Sequence, residues 1–300
     1  MALAPKLKTA LDETRLLILG AQVLMGFQLN GIFQDAFEKL PEHARLIDAV
    51  AALLIAAAIG LLIAPSMQHR LVEHGEDTGR MLRVATVCAG AALLPLGLSL
   101  GLDLYVVLLR HSGAPFAMLA GLAFATFALL FWLVLAWLWR RDDLLEMPVP
   151  RPERTPLHAK VEQMLTEARV LIPGAQALLG FQMAVMLTSG FERIPQSSKL
   201  IHVAALCCIA LAVILLMAPA AFHRISYGGE DSEEFHRLGT KFVVAAALPI
   251  AAGITLDLHV AVTKAVDSAA IGATIAGLAA AILVALWYVQ PLILRKKHRR

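Results

Sequence analysis

The chain has 300 residues, 59% of them apolar and only 16% charged, with a mean hydropathy of +0.71. Soluble domains carry about half apolar and about a quarter charged residues, so this composition excludes an ordinary water-soluble protein and calls for lipid as solvent. The formal net charge of +3 is small, and no nucleic-acid partner is expected.

In chain order, a polar opening, "MALAPKLKTALDETR", precedes an apolar segment over 16–37. No small-residue cleavage site follows it, so a cleaved signal peptide is not expected. Three segments without any Asp, Glu, Lys or Arg come next, 49–65, 84–102 and 115–139. Residues 141–160 lie in "RRDDLLEMPVPRPERTPLHAK", whose four prolines and mixed charges describe a solvated, semi-rigid linker. Apolar segments return at 170–190, 203–219, 242–256 and 269–294. Runs of about 18 or more apolar residues span the hydrocarbon core, and those of about 15 to 17 do so with help from their flanks. All are continuously apolar rather than alternating, which favours helices over barrel strands. The expected fold is an all-α integral membrane protein of eight transmembrane helices. Cys88, Cys207 and Cys208 fall inside these segments without metal or redox spacing and are expected to be buried packing residues.

The decapeptide "LGAQVLMGFQ" at 19–28 returns as "PGAQALLGFQ" at 173–182. Shifting the chain by 154 residues matches 11 of the 16 positions over 13–28. The same shift pairs His69-Arg70 with His223-Arg224, Gly75-Glu76-Asp77 with Gly229-Glu230-Asp231, Pro65 with Pro219, Pro95 with Pro249, and Asp103 with Asp257. This is a tandem duplication, predicting a four-helix unit over 1–140, the linker over 141–160, and a second unit over 161–300 with a basic tail. An even number of spans per unit inserts both in the same, parallel orientation, about a pseudo-two-fold axis along the membrane normal, unlike inverted-repeat transporters. Of the 26 Lys and Arg residues, 20 fall on one side of this topology. The positive-inside rule then places both termini in the cytoplasm of a bacterial inner-membrane, multi-pass protein.

The opening "E-x-R", the motif "G-A-Q-x-L-x-G-F-Q" and the segment "A-P-x-x-x-H-R" resemble a family of small four-helix bacterial membrane proteins of unknown function. Some of its members carry an automatic sodium:proton antiporter name. The resemblance covers nearly the whole chain twice and implies the four-helix fold and its duplication; single-unit relatives would then assemble as dimers.

Polar groups inside spans are the first functional candidates. Asp103 and Asp257 are the ionisable pair suited to carrying a proton or cation, with Pro95 and Pro249 permitting a kink beside them. An interface anchor or a structural hydrogen bond is the other reading. Gln22, Gln28, Gln176 and Gln182 either line a polar path between the halves or serve as interhelical glue, with Gly20 and Gly26 allowing close approach. Gln28 is expected near the midplane. On a helical wheel Arg15, Gln22 and Gly26 share one side of the first helix, and Glu13, Gly20 and Gln28 another.

At the cytoplasmic face, His69, Arg70, His223 and Arg224 follow prolines read as closing the second span of each unit. With Glu13, Arg15, Glu167, Arg169, the Gly-Glu-Asp loops, Arg83 and Arg237 they suit a salt-bridge ring. Neither a catalytic motif nor metal-ligand spacing appears, so no enzymatic activity, metal or cofactor is expected. The partners expected are the lipid bilayer and a small cation or proton. The function classes that remain are a proton- or cation-coupled transporter, a structural, assembly or stress-related membrane protein, and a redox protein associated with haem or lipid, in which His69 and His223 ligate across the axis.

Overall fold

The computed structural model describes residues 3–134, 138 and 155–298; most of the expected linker, and the two last residues of the tail, lie outside them. In the first half a long helix, α1 (Leu3–Gly31), leads through a short turn of helix, α2 (Asp35–Glu38), into α3 (Glu42–Leu71), α4 (Gly79–Ser112) and α5 (Ala114–Leu129). The second half repeats the pattern with α6 (Leu157–Val185), α7 (Ser189–Glu192), α8 (Gln196–Ile225), α9 (Glu233–Val266) and α10 (Ala269–Val284), closed by α11 (Gln290–His298). Each last long helix passes into a five-residue π-helical turn, Leu130–Val134 after α5 and Ala285–Val289 after α10.

Among the described residues, seven helices are long and apolar enough to cross a membrane: α3, α4, α5 with its π turn, α6, α8, α9, and the run Ala269–Lys296. The first helix, 29 residues long, is not among them. Arg15, Gln22, Gln28 and Asn30 dilute its apolar character, although it packs along α6 for its whole length. Lys8 donates to Glu162 at 2.9 Å at one end, and Ser189 donates to Asp35 at 2.8 Å just beyond the other. Both pairs are separated by the repeat shift or its reverse, so α1 and α6 run side by side in the same direction.

Helix ends differ from the apolar segments in instructive ways. The opening read as a polar lead is helical from Leu3, and α1 stops at Gly31 rather than near residue 37. That puts Gln28 three residues, or about 4.5 Å, from a helix end and not at its middle. Pro65 and Pro219 do not close their spans. Each sits inside its helix, which runs on to Leu71 or Ile225, as membrane helices allow when neighbouring groups satisfy the freed carbonyl. The second unit starts before residue 161, because α6 begins at Leu157. Cys207 is exposed rather than buried, on a helix face that looks outward.

One apolar core runs through both halves, with Ile18, Met25, Ile59 and Leu62 from the first packing among Leu178, Ile209, Ile250 and Trp287 from the second. The indole N–H of Trp287 donates to the carbonyl of Gly60 at 2.8 Å, tying the second π turn to α3.

The halves do not meet symmetrically. In its most apolar stretch α3 is 61% buried and its counterpart α8 only 28%, while α4 is 33% and its counterpart α9 67% buried. The cause is visible along α1 and α6. The first helix buries Arg15, Gln22 and Gly26, and leaves Glu13 and Gly20 exposed; α6 buries Glu167 and Gly174, and leaves Arg169, Gln176 and Gly180 exposed. Gln22 lies against Gly174, and Phe181 against Gly26, where a Cβ on either glycine would collide; Gly20 and Gly180 have nothing within 4 Å of that position. Opposite faces of one duplicated helix are therefore pressed together, which departs from the expected pseudo-two-fold packing.

Candidate functional site

At the end of the bundle where α1 stops and α3 begins, each half assembles a carboxylate site from three helices. In the first half Gln28 Nε2 donates to Asp103 Oδ1 at 2.7 Å, and Ser99 donates to Asp103 Oδ2 at 3.2 Å. In the second half Gln182 Nε2 donates to Asp257 Oδ2 at 2.6 Å. The two aspartates and two of the four glutamines singled out from the sequence thus form equivalent pairs. Gln22 is buried elsewhere, at the α1–α6 contact, with both amide atoms unpartnered. Gln176 is exposed, because α6 turns that face outward; no single path is lined by all four.

The third member of each site escaped sequence reasoning. In the second half it is His202, whose Nδ1 lies 3.0 Å from Asp257 Oδ1 and whose Nε2 lies 3.0 Å from the Gln182 carbonyl. Two ring nitrogens facing two oxygen acceptors suit a proton held between imidazole and carboxylate. The position 154 residues earlier holds Asp48, and there the partner of Asp103 is a second carboxylate within repulsive range. No hydrogen bond reaches Asp48 among the described residues. A comparison that looks for identical residues passes over this position, since the two copies differ in it.

The two sites also differ in access. Asp257 and His202 are 2% and 1% exposed, and the rings of Phe191 and Phe33 close over His202 at 5.3 and 6.0 Å. Asp48, half-buried, lines an open groove of about 250 Å³ with Gly31, Gln34, Phe37, Val106 and Arg110. Helix rise puts Asp48 about 9 Å inside the start of α3 and Asp103 about 14 Å inside the end of α4, within the bundle and below the loops. Above them Arg193 bonds Asp35 at 2.6 Å and Lys264 bonds Glu38 at 2.9 Å. The Arg193 guanidinium holds the Asp35 carboxyl below its ordinary range, and Lys264 does the same for Glu38.

The opposite end carries a buried ionic cluster. Glu167 of α6 takes a 2.6 Å bond from Arg70 Nε, with His69 Nδ1 at 3.3 Å and an Arg15 nitrogen at 3.8 Å. His236 Nε2 sits 3.5 Å from Arg70, and Arg15 also pairs with Asp12. Half of the predicted cytoplasmic ring is therefore present as a closed knot. The other half does not join it: Glu13, Arg169 and Arg224 are exposed, and His223 stacks on Phe235 at 4.6 Å. The first Gly-Glu-Asp loop reaches neither Arg83 nor a ring, but clasps the start of α6: Lys160 bonds Glu76 and Gln163 donates to Asp77 at 3.1 Å.

No curated protein and no solved structure matches the chain. The model of a family of unknown function, DUF6328, matches it twice, over residues 3–136 and again over 153–291. Those two matches fall on the two halves that carry the paired carboxylate sites, and they cover most of the sequence. The chain therefore belongs to DUF6328, as a protein that contains the family's unit twice.

Proposed function

We propose that this is a proton- or cation-handling membrane transporter, in which Asp48 and Asp103 form the ion site. Eight spans, α1 included, stand as two four-helix units inserted in the same orientation. The termini and the Glu167 knot lie on the cytoplasmic side of a bacterial inner membrane, and the groove beside Asp48 opens on the other side. The observation that carries the reading is a pair of half-buried carboxylates on different helices, near enough to repel, with an amide and a hydroxyl but, among the described residues, no cation in hydrogen-bonding contact, beside an open groove. Such a pair is relieved by binding a proton or a cation between its oxygens.

The companion site in the second half favours a second, structural reading for that half alone. Asp257 is sealed under aromatic rings with its oxygens already occupied by His202 and Gln182. It acts there as a fixed strut on which α6, α8 and α9 are held.

The test is ion flux in proteoliposomes under imposed sodium, potassium and pH gradients. Asp103→Asn with Asp48→Asn is expected to abolish flux, while Asp257→Asn reduces it only through stability. Absence of wild-type flux above empty liposomes for all three ions would overturn the transport reading and leave a structural or assembly role.

A further inference from the structure

The halves meet through unlike faces, so each chain is left with one unused copy of each face. We propose that the chain assembles head to tail with a second copy of itself, Glu13 of one copy entering a cavity formed by Arg169, His223 and Arg224 of the next.

The existing contact between the halves is the template. In the first half Arg15, His69 and Arg70 converge on the carboxylate of Glu167. Shifted by 154 residues, the same three positions are Arg169, His223 and Arg224, and they line a cavity of about 370 Å³ floored by apolar residues of α6 and α8. No carboxylate lines that cavity. Asp231 pairs with His158 and lies 3.5 Å from His223 Nε2, and Arg169 has, among the described residues, Glu162 at longer electrostatic range. The residue equivalent to Glu167 is Glu13, which is exposed and makes no ion pair among the described residues.

Charge complementarity extends along the rest of the two unused faces. Where the present contact sets Lys160 against Glu76, the unused faces offer Lys6 and Glu230. Where it sets Arg193 and Lys264 against Glu38, they offer Lys39 and Arg110 against Glu192, all three exposed. Shape follows the same rule. Gly174 receives Gln22 and Gly26 receives Phe181 within the chain. Gly20 and Gly180 have open space, which the exposed Gln176 would fill at Gly20 and Phe27 at Gly180; the Phe27 ring packs against Phe181 at 4.5 Å and is otherwise 60% exposed. Unlike faces joined in this way propagate until the rotation closes them into a ring. The smallest such ring is two chains, presenting four units.

An anionic lipid phosphate is the other chemistry that the basic cavity accepts, and the experiment separates the two. In a background with Cys88, Cys207 and Cys208 replaced by serine, one tagged population carries Glu13→Cys and a second, differently tagged, carries Arg224→Cys. Co-reconstituted in bilayers and treated with a flexible bis-maleimide long enough to span the gap that a Glu–Arg pair leaves between two cysteines, which is too wide for a disulfide, the two are expected to form a cross-link joining both tags. Native mass spectrometry of the wild type is expected to give two chains. Glu13→Arg should weaken association by roughly tenfold or more, as like charges across an interface do, and adding Arg169→Glu and Arg224→Glu should restore it. No mixed-tag product together with single-chain mass would overturn the proposal. So would a wild-type single chain that retains a phosphate-bearing lipid lost on Arg169→Glu/Arg224→Glu.

Discussion

Replacing Glu167 by Gln tests the closed knot directly. The carboxylate is fully enclosed and lies 2.6, 3.3 and 3.8 Å from Arg70, His69 and Arg15; among the described residues it is the one acid that pairs with Arg70 and His69, while Arg15 also has Asp12. Glutamine keeps the volume, and its amide oxygen still accepts the bond from Arg70 Nε, but the charge that offsets the buried guanidinium is gone. Removing one partner of a buried ion pair costs about 3–5 kcal/mol, since the other is left uncompensated. The retained bond puts this variant near the lower end, about 3 kcal/mol, or roughly a hundredfold in the folding equilibrium. Glu13→Gln removes the equivalent charge from an exposed position and should fall within about 0.5 kcal/mol of wild type in single-chain preparations. Reversible denaturation in detergent micelles, followed by tryptophan fluorescence, reads both. If Glu167→Gln and Glu13→Gln shift stability equally, the assignment of the two helix faces is wrong.

Three further outcomes follow from the geometry. His202→Asn removes the imidazole that engages Asp257 and should cost about 1.5–3 kcal/mol, whereas Asp48→Asn at the equivalent position relieves a repulsion and should stabilise; thermal melting of the two variants in parallel checks the opposite signs. Burial pushes the Glu76 carboxyl up, but bonds from Lys160 and Thr155 outweigh it and hold the group below its ordinary 4.5; its contribution is therefore complete above about pH 4.5 and disappears as pH falls through the lowered value. The melting temperatures of wild type and Glu76→Gln should accordingly differ at pH 7 and converge in acid. Gly190→Ala would drive a Cβ into the backbone carbonyl of Phe33, which cannot rotate away, and should cost about 1–3 kcal/mol by the same denaturation assay.

Much of the architecture is legible in the sequence because its signals are one-dimensional. Apolar runs locate the helices, and a shift of 154 residues carries α1 to α5 onto α6 to α10. Their ends are less legible, since charged residues such as Lys8 and Glu162 extend a helix past the apolar run when they find partners at its flank. Asp103 and Asp257 stand out as repeated charges in apolar surroundings, but their bonds to Gln28 and Gln182 depend on where α1 and α6 stop. The helical wheel separates Arg15, Gln22 and Gly26 from Glu13 and Gly20, yet these residues recur at the same places in α1 and α6 and carry no mark of which face each helix will bury. That choice is made by three-dimensional packing, with α3 covered by α9 and α8 left open. Asp48 and His202 are hidden for the opposite reason, being a place in the site where the copies disagree, as they also do at Ser99 and Gly253.

That disagreement bears on how such a protein can evolve. Two separate copies of a single-unit protein must present the same residue at this position, either an aspartate in both or a histidine in both, because one gene encodes them. Joining the units in one reading frame lifts that constraint. One copy can then keep an acid beside an open groove while the other trades it for a base and closes over it, so a division of labour inaccessible to an assembly of identical subunits comes within reach of a single codon change or two.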